Sequence, residues 1–347
     1  MGTVWFCLVA IMIAMYVLLD GFDLGAGAIH FLVAKTSEER RQVIASIGPV
    51  WDGNEVWLLA AGGTMYFAFP ALYASGFSGF YLPLMIVLWL LILRGTSIEF
   101  RNHITSEVWA PLWDFLFCAS SLLLAVFYGA ALGNVVRGVP LDGSGYFFEP
   151  LWTNWRLGEE TGILDWYTVL VGVLALAALM MHGALWVQMK TAGVMSERAG
   201  RLAGRAWWGV VALTALVTAV TFGVQLQVRA NFSAWPWGYV FPLLAVAGIA
   251  GVPFELRRRD QKKAFFASCA YLAGMLTSVV FGVYPMVLPS RDLVHSLTVG
   301  SAKAGAYGLK IGLVWWTIGM ILAAVYFSFV YGSFAGKVVA EKDGHAR

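Results

Sequence analysis

The chain has 347 residues, 60% of them hydrophobic, 15% aromatic and 12% charged, with sixteen tryptophans, a mean hydropathy of +0.73 and a formal net charge of +3. Soluble domains are about 45–50% apolar and about 25% charged, so this composition belongs in a bilayer and excludes a soluble enzyme, a secreted disulfide scaffold and a disordered chain. The cations form short clusters rather than one stripe, which leaves no footprint for nucleic acid, and Cys7, Cys118 and Cys269 sit singly in apolar runs without a CxxC or haem-attachment pattern.

A helix needs roughly 20 mainly apolar residues to cross about 30 Å of hydrocarbon. In chain order, such runs are predicted over 5–33, 44–69, 71–93, 109–136, 163–189, 206–226, 238–256, 264–288 and 306–334, about nine in all. The first run lacks a basic leader region and a small-residue cleavage site, so it is expected to be retained as a membrane helix. The expected fold is an all-α integral membrane protein with about nine transmembrane helices. Its organisation is expected to be a first four-helix bundle carrying carboxylate motifs (1–136), an outer loop (137–162), a second four-helix bundle (163–290), and a peripheral ninth helix with a cytoplasmic tail (291–347).

Lysine and arginine in short loops mark the cytoplasmic side. Seventeen of the 23 fall in the odd-numbered loops and in the tail with Lys337, Lys342 and Arg347, whereas only Arg137, Arg156, Arg229, Arg291 and Lys303 fall on the other side. The bias predicts an outside N-terminus and a cytoplasmic C-terminus. Trp5, Trp152, Trp155, Trp235, Trp237 and Trp316 are expected to anchor the two interfaces.

Carboxylates inside a bilayer are costly, about 2.5–3.5 kcal/mol for an Asp at a helix centre, and usually face a bundle interior or a water path. Asp20 and Asp23 are spaced i,i+3, as are Asp52 and Glu55, so each pair shares a helix face with about 5–6 Å between neighbours. Like charges so close in low dielectric favour a shared proton. Both pairs fall in the half of the membrane assigned to the cytoplasm, where they could form the mouth of a proton path. Alternatively they serve structure alone, satisfied by one another, by Arg94, by Arg101 or by helix-end amides. Asp114 opens the fourth run.

Gly21 and Gly25 form a GxxxG followed by Gly27, a pattern that lets another backbone approach. Pro49, ahead of Trp51 and Asp52, is expected to bend the second helix. Among five histidines only His30 and His182 lie in spans; each stands alone, which fits a hydrogen-bonded packing residue better than a haem ligand. No metal site, P-loop or HExxH pattern is present.

The run Asp20-Gly-Phe-Asp23-Leu-Gly-Ala-Gly27, followed by Gly48-Pro-Val-Trp51-Asp52-Gly-Asn54-Glu55-Val-Trp57, closely resembles the first two helices of subunit II of cytochrome bd-type quinol oxidases. The resemblance continues through Arg94 with Glu99 and Arg101, Trp113-Asp114, Gly133-Asn134, Gly138-Val-Pro140, Gln188-Met189-Lys190-Thr191, Pro285, Pro289-Ser290 and Ser296-Leu297-Thr298. It implies a nine-helix subunit without haem of its own, paired with a homologous subunit I that carries two b-type haems and one d-type haem. That partner would oxidise quinol on the outer side and reduce dioxygen to water.

The same resemblance implies that this chain stabilises the complex and that Asp52 opens a proton path from the cytoplasm; Asn54, Glu55, Asp23 and Asp20 are expected along that path. Arg94, Glu99, Arg101 and Asp114 would be structural charges. It leaves room for a small accessory membrane subunit and for a structural quinone or lipid, though no residue marks a site for either. Val50 stands where some members have a histidine, and the connection at 227–236 is short beside their insertion. The competing reading from a different class is a proton-coupled secondary transporter built on a four-plus-four repeat; the crowding of carboxylates into the first half counts against it.

Overall fold

The structure is a computed structural model and is described for residues 1–104, 106–158 and 161–338. Lys342, His345 and Arg347 of the tail lie outside the described residues.

The first apolar run forms α1 (Gly2–Ala28), about 40 Å long at 1.5 Å per residue. It breaks at Ile29 before a single turn, α2 (His30–Val33). The second predicted span is two helices rather than one. α3 (Ser37–Ile47) starts at a capping box in which Thr36 and Glu39 satisfy one another's backbone amides, and it ends before Gly48 and Pro49. α4 (Trp51–Ala68) begins beyond that break. The third run is likewise divided, into α5 (Pro70–Gly79) and α6 (Tyr81–Phe100), which continues seven residues past the predicted end.

α7 (Trp109–Arg137) and α8 (Trp166–Lys190) match their runs closely, and Asp165 caps α8 by accepting from the amides of Tyr167 and Thr168. α9 (Gly193–Val224) starts earlier than predicted, because Arg198, Arg201 and Arg205 continue the helix beyond its apolar stretch. The connection at 227–236 contains a helix, α10 (Leu226–Ala234). Asn231 fixes it, donating from Nδ2 to the carbonyls of Phe281, Gly282 and Tyr284. A 3₁₀ turn (Pro236–Tyr239) leads into α11 (Val240–Arg257), and α12 (Gln261–Val283) follows a tight turn.

α12 is shorter than predicted. The chain beyond it forms β1 (Met286–Leu288), which pairs antiparallel with β2 (Leu297–Thr298), a small ribbon that the all-helical expectation did not include. α13 (Val299–Ala302) and α14 (Ala306–Ser333) complete the chain.

Among the described residues, eight helical segments are long and apolar enough to cross a membrane. The second predicted span is missing from that set because the polar run Asp52-Gly-Asn-Glu55 lowers the hydropathy of α4. α4 nevertheless runs antiparallel along α1: Asn54 reaches Asp23, Trp57 and Ala61 pack with Tyr16 and Met12, and Phe67 meets the Trp5 ring at 5.3 Å.

α1 packs on α4, α7 and α8, α6 packs on α7, and α8 joins α7 to α9 and α12. Glycine permits the closest crossings. A Cβ on Gly25 would stand 2.8 Å from the Gly183 Cα of α8, one on Gly21 would meet the Leu179 side chain at 2.9 Å, and one on Gly27 would strike Ser121 of α7. α14 lies outermost and touches α1 and α4 through side chains, with Trp316 on Trp5 and Phe327 on Trp57. Trp5 is therefore buried, donating to the Leu309 carbonyl, and is not an interface anchor; Trp152, Trp155, Trp235 and Trp237 are exposed.

Candidate functional site

The polar side chains of α1 and α4 meet Arg94 of α6 in the interior, at the end of the bundle where most lysines and arginines lie. Arg94 is fully buried, with Nη2 2.7 Å from Asp20 Oδ1 and 3.1 Å from Glu55 Oε2. Asp23, one turn beyond Asp20, accepts from Asn54 Nδ2 at 2.8 Å. Asn54 also receives the Tyr331 hydroxyl of α14 at 2.8 Å. One turn the other way, Tyr16 donates to Tyr128 of α7 at 2.9 Å.

The expected grouping is thereby rearranged. The i,i+3 carboxylates do not pair within their own helices; Asp20 joins Glu55 across helices through one guanidinium, while Asp23 takes the Asn54 amide. Asp52 is exposed on the surface of this chain, one turn from Glu55, which is partly buried. Asp20 and Glu55 thus share a single cation with Asp23 one turn away, and Asp20 Oδ2, Asp23 Oδ1 and the Arg94 Nε and Nη1 have no hydrogen-bond partner among the described residues.

Asp114 sits elsewhere. At the start of α7 it gathers Arg101 Nε at 2.5 Å, Arg40 Nε at 2.8 Å and His30 Nε2 at 2.9 Å. Arg101 also donates to the Ser37 carbonyl, so this group ties α3 to α7. Outside the spans, Glu39 reaches Arg198 of α9. Burial opposes ionisation of Glu39, but the amides of Lys35 and Thr36 and the Arg198 guanidinium outweigh it and hold the carboxyl below the ordinary glutamate range. Glu99, expected among the structural charges, is exposed and makes no ion pair among the described residues.

A second buried polar group, which the sequence reading missed, lies at the far end of α7. Arg137 bonds Asp165, Glu149 Oε1 at 2.7 Å, Asn134 Oδ1 at 2.7 Å and the Gly162 carbonyl. Arg291 and Thr161 also donate to Glu149. Burial raises the Glu149 carboxyl above the usual range, against the pull of Arg137 and Arg291. The readable signal was Asp165 followed by Thr168, a capping box that fixes one acid beside the long loop.

Both span histidines are buried and bonded to neighbouring helices. His182 Nδ1 meets Ser268 Oγ at 2.7 Å, Nε2 meets the Leu18 carbonyl at 3.0 Å, and its ring stacks on Phe265 at 4.8 Å. His30 is committed to Asp114 and packed edge-on against Phe117. The described residues contain no cluster of metal-ligating side chains.

These features define a polytopic helical membrane protein with an ionisable cluster in its interior. Comparison with known proteins gives the family. The model of the cytochrome bd terminal oxidase subunit II family matches residues 1–334, and the chain belongs to that family. It is 30% identical to a probable cytochrome oxidase subunit 2 of Haemophilus influenzae, covering 99% of this chain and 97% of that one. It is 28% identical to the cytochrome bd-I ubiquinol oxidase subunit 2 of Escherichia coli, covering 97% and 95%. The solved bd oxidase of Geobacillus thermodenitrificans contains a chain of the same fold, with a TM-score of 0.75 at 18% identity over 96% of this chain and 98% of that one. The chain is therefore an oxidase subunit and a multi-pass protein of the bacterial inner membrane; the transporter alternative is not favoured.

Proposed function

We propose that this chain is the subunit of a cytochrome bd-type quinol oxidase that carries no haem, and that it pairs with subunit I and supplies the cytoplasmic entry for protons consumed when dioxygen is reduced to water. The haems, two b-type and one d-type, belong to the partner in this reading, as do quinol oxidation and oxygen reduction. That fits His182, whose two ring nitrogens meet Ser268 and the Leu18 carbonyl. α4 provides the ninth crossing, the first four and next four crossings form the two bundles with α14 peripheral, and the end rich in lysine and arginine faces the cytoplasm.

The observation that carries the reading is the Asp20, Asp23, Glu55 and Arg94 cluster, which reaches the protein surface at Asp52. A carboxylate facing lipid is costly. On the same helix, Gly62 and Gly63 have nothing within 4 Å of a built Cβ. Both features fit a face of α4 covered by subunit I, so that Asp52 stands at the seam between the subunits. A proton taken up at Asp52 passes one helical turn to Glu55, which shares Arg94 with Asp20. Because mutual repulsion sets how many protons the three inner carboxylates hold, the cluster can accept one proton and release another.

Asp52→Asn tests this. The variant complex is expected to assemble in normal amount and to slow proton uptake coupled to oxygen consumption by about 10²-fold, within the range for loss of a positioned proton-transfer group. Normal turnover in a correctly assembled Asp52→Asn complex would remove Asp52 from the path.

A further inference from the structure

Away from the carboxylate cluster, α9 and α11 enclose a groove of about 380 Å³, lined by Gly204, Trp207, Trp208, Pro253, Phe254 and Arg257 among others. Its shape follows from one proline. Pro253 has no N–H to give the Ile249 carbonyl four residues back. The Trp207 indole of α9 donates to that carbonyl instead, at 2.7 Å. This bond joins the two helices at the proline and fixes Trp207 as a wall of the groove. Gly204 leaves the floor open, with nothing within 4 Å of a built Cβ, while Trp208 and Phe254 stand exposed at the rim.

The mouth of the groove is cationic. Arg257 lines it and makes no ion pair among the described residues; Arg201 lies one turn before Gly204 on the same face of α9. Arg258, Arg259, Lys262 and Lys263 follow Arg257 closely, and the two acids of this stretch, Glu255 and Asp260, engage only Arg258 and Lys263. An apolar slot between two membrane helices, with unpaired cations where the helices leave the hydrocarbon, is complementary to a lipid whose headgroup carries negative charge.

We propose that this groove is a binding site for an anionic phospholipid, with one acyl chain along Trp207, Trp208 and Phe254 and the headgroup phosphate on Arg257. The inference depends on the chain spanning a membrane and not on the proton path.

The test is native mass spectrometry of the intact purified complex, titrated with phosphatidylglycerol or with phosphatidylethanolamine of identical chains. Phosphatidylglycerol is expected to bind more tightly. Arg257→Gln should weaken it about fivefold, the worth of one cation at a charged lipid surface, and weaken phosphatidylethanolamine less, because the ammonium of that headgroup offsets the charge of its phosphate. Gly204→Leu, which places a side chain in open space, should weaken both lipids. The same spectra report whether each variant complex is assembled. Equal binding of the two headgroups, phosphatidylglycerol binding indifferent to Arg257→Gln, or a groove found occupied by a protein partner would overturn the proposal.

Discussion

Arg137 and Arg94 are both buried arginines on adjacent helices of one bundle, yet their surroundings differ. Arg137 shares Glu149 with Arg291, and Asp165 is held additionally by two amides of its own helix. Each charge there has more than one partner. Among the described residues Arg94 is the only cation paired with Asp20 and Glu55, and Asp23 has a neutral amide in place of a counter-ion. The first arrangement can lose one contact and keep its geometry, as suits a clasp closing the loop over α7 and α8. The second places three carboxylates around one guanidinium, with no second cation among the described residues to take over a lost contact.

Substitutions distinguish the two. Arg94→Met leaves buried carboxylates without a cation and should cost about 3–5 kcal/mol, seen as loss of assembled complex from membranes; adding Asp20→Asn should restore part of the yield. Arg137→Met should cost less, about 1–3 kcal/mol, because Arg291 still holds Glu149 and the α8 amides still hold Asp165; the thermal midpoint of the purified complex reports it. A similar loss from both substitutions would break the comparison.

A third charged link, Glu39 to Arg198, sharpens it through pH. The Glu39 carboxyl lies below its ordinary value in the folded protein, so its contribution is complete above that ordinary value, about 4.3, and is lost as pH falls through the folded value. Hydrogen exchange across α3 should therefore accelerate on acidification below about pH 4 while α8 stays protected. The smallest effect on stability is expected of Asp52→Asn, which keeps the shape of the side chain and removes no hydrogen bond or ion pair among the described residues, and this makes its effect on turnover the readable one.

The long apolar runs made most crossings legible in the sequence, because α7, α8 and α14 each fill one uninterrupted stretch. The second crossing was readable only in part. Pro49 marked a bend, but the continuous apolar pattern hid that α3 and α4 are separate helices meeting at Gly48 and Pro49. For the site, the spacing of Asp20, Asp23, Asp52 and Glu55 identified residues but suggested partners within each helix. Which side chains meet across helices depends on rotation about each axis, and only packing fixes that: Gly25 against Gly183 turns Asp20 and Asp23 inward, while Asp52 turns out. Tyr331, far along the chain, carried no pattern linking it to Asn54. Glu149 sits in an irregular loop without periodicity, so its pairing with Arg137 had no local signature.

The weak hydropathy of α4 has a consequence for how the chain enters the membrane. A segment that begins with Asp52, Asn54 and Glu55 has little tendency to leave the translocon for lipid alone, and α1 carries two aspartates of its own. Each becomes tolerable beside the other, and Arg94, 74 residues after Asp20, is the cation among the described residues that pairs with a carboxylate of each. The ion pairs that seat α4 beside α1 are thus complete only once α6 has been synthesised.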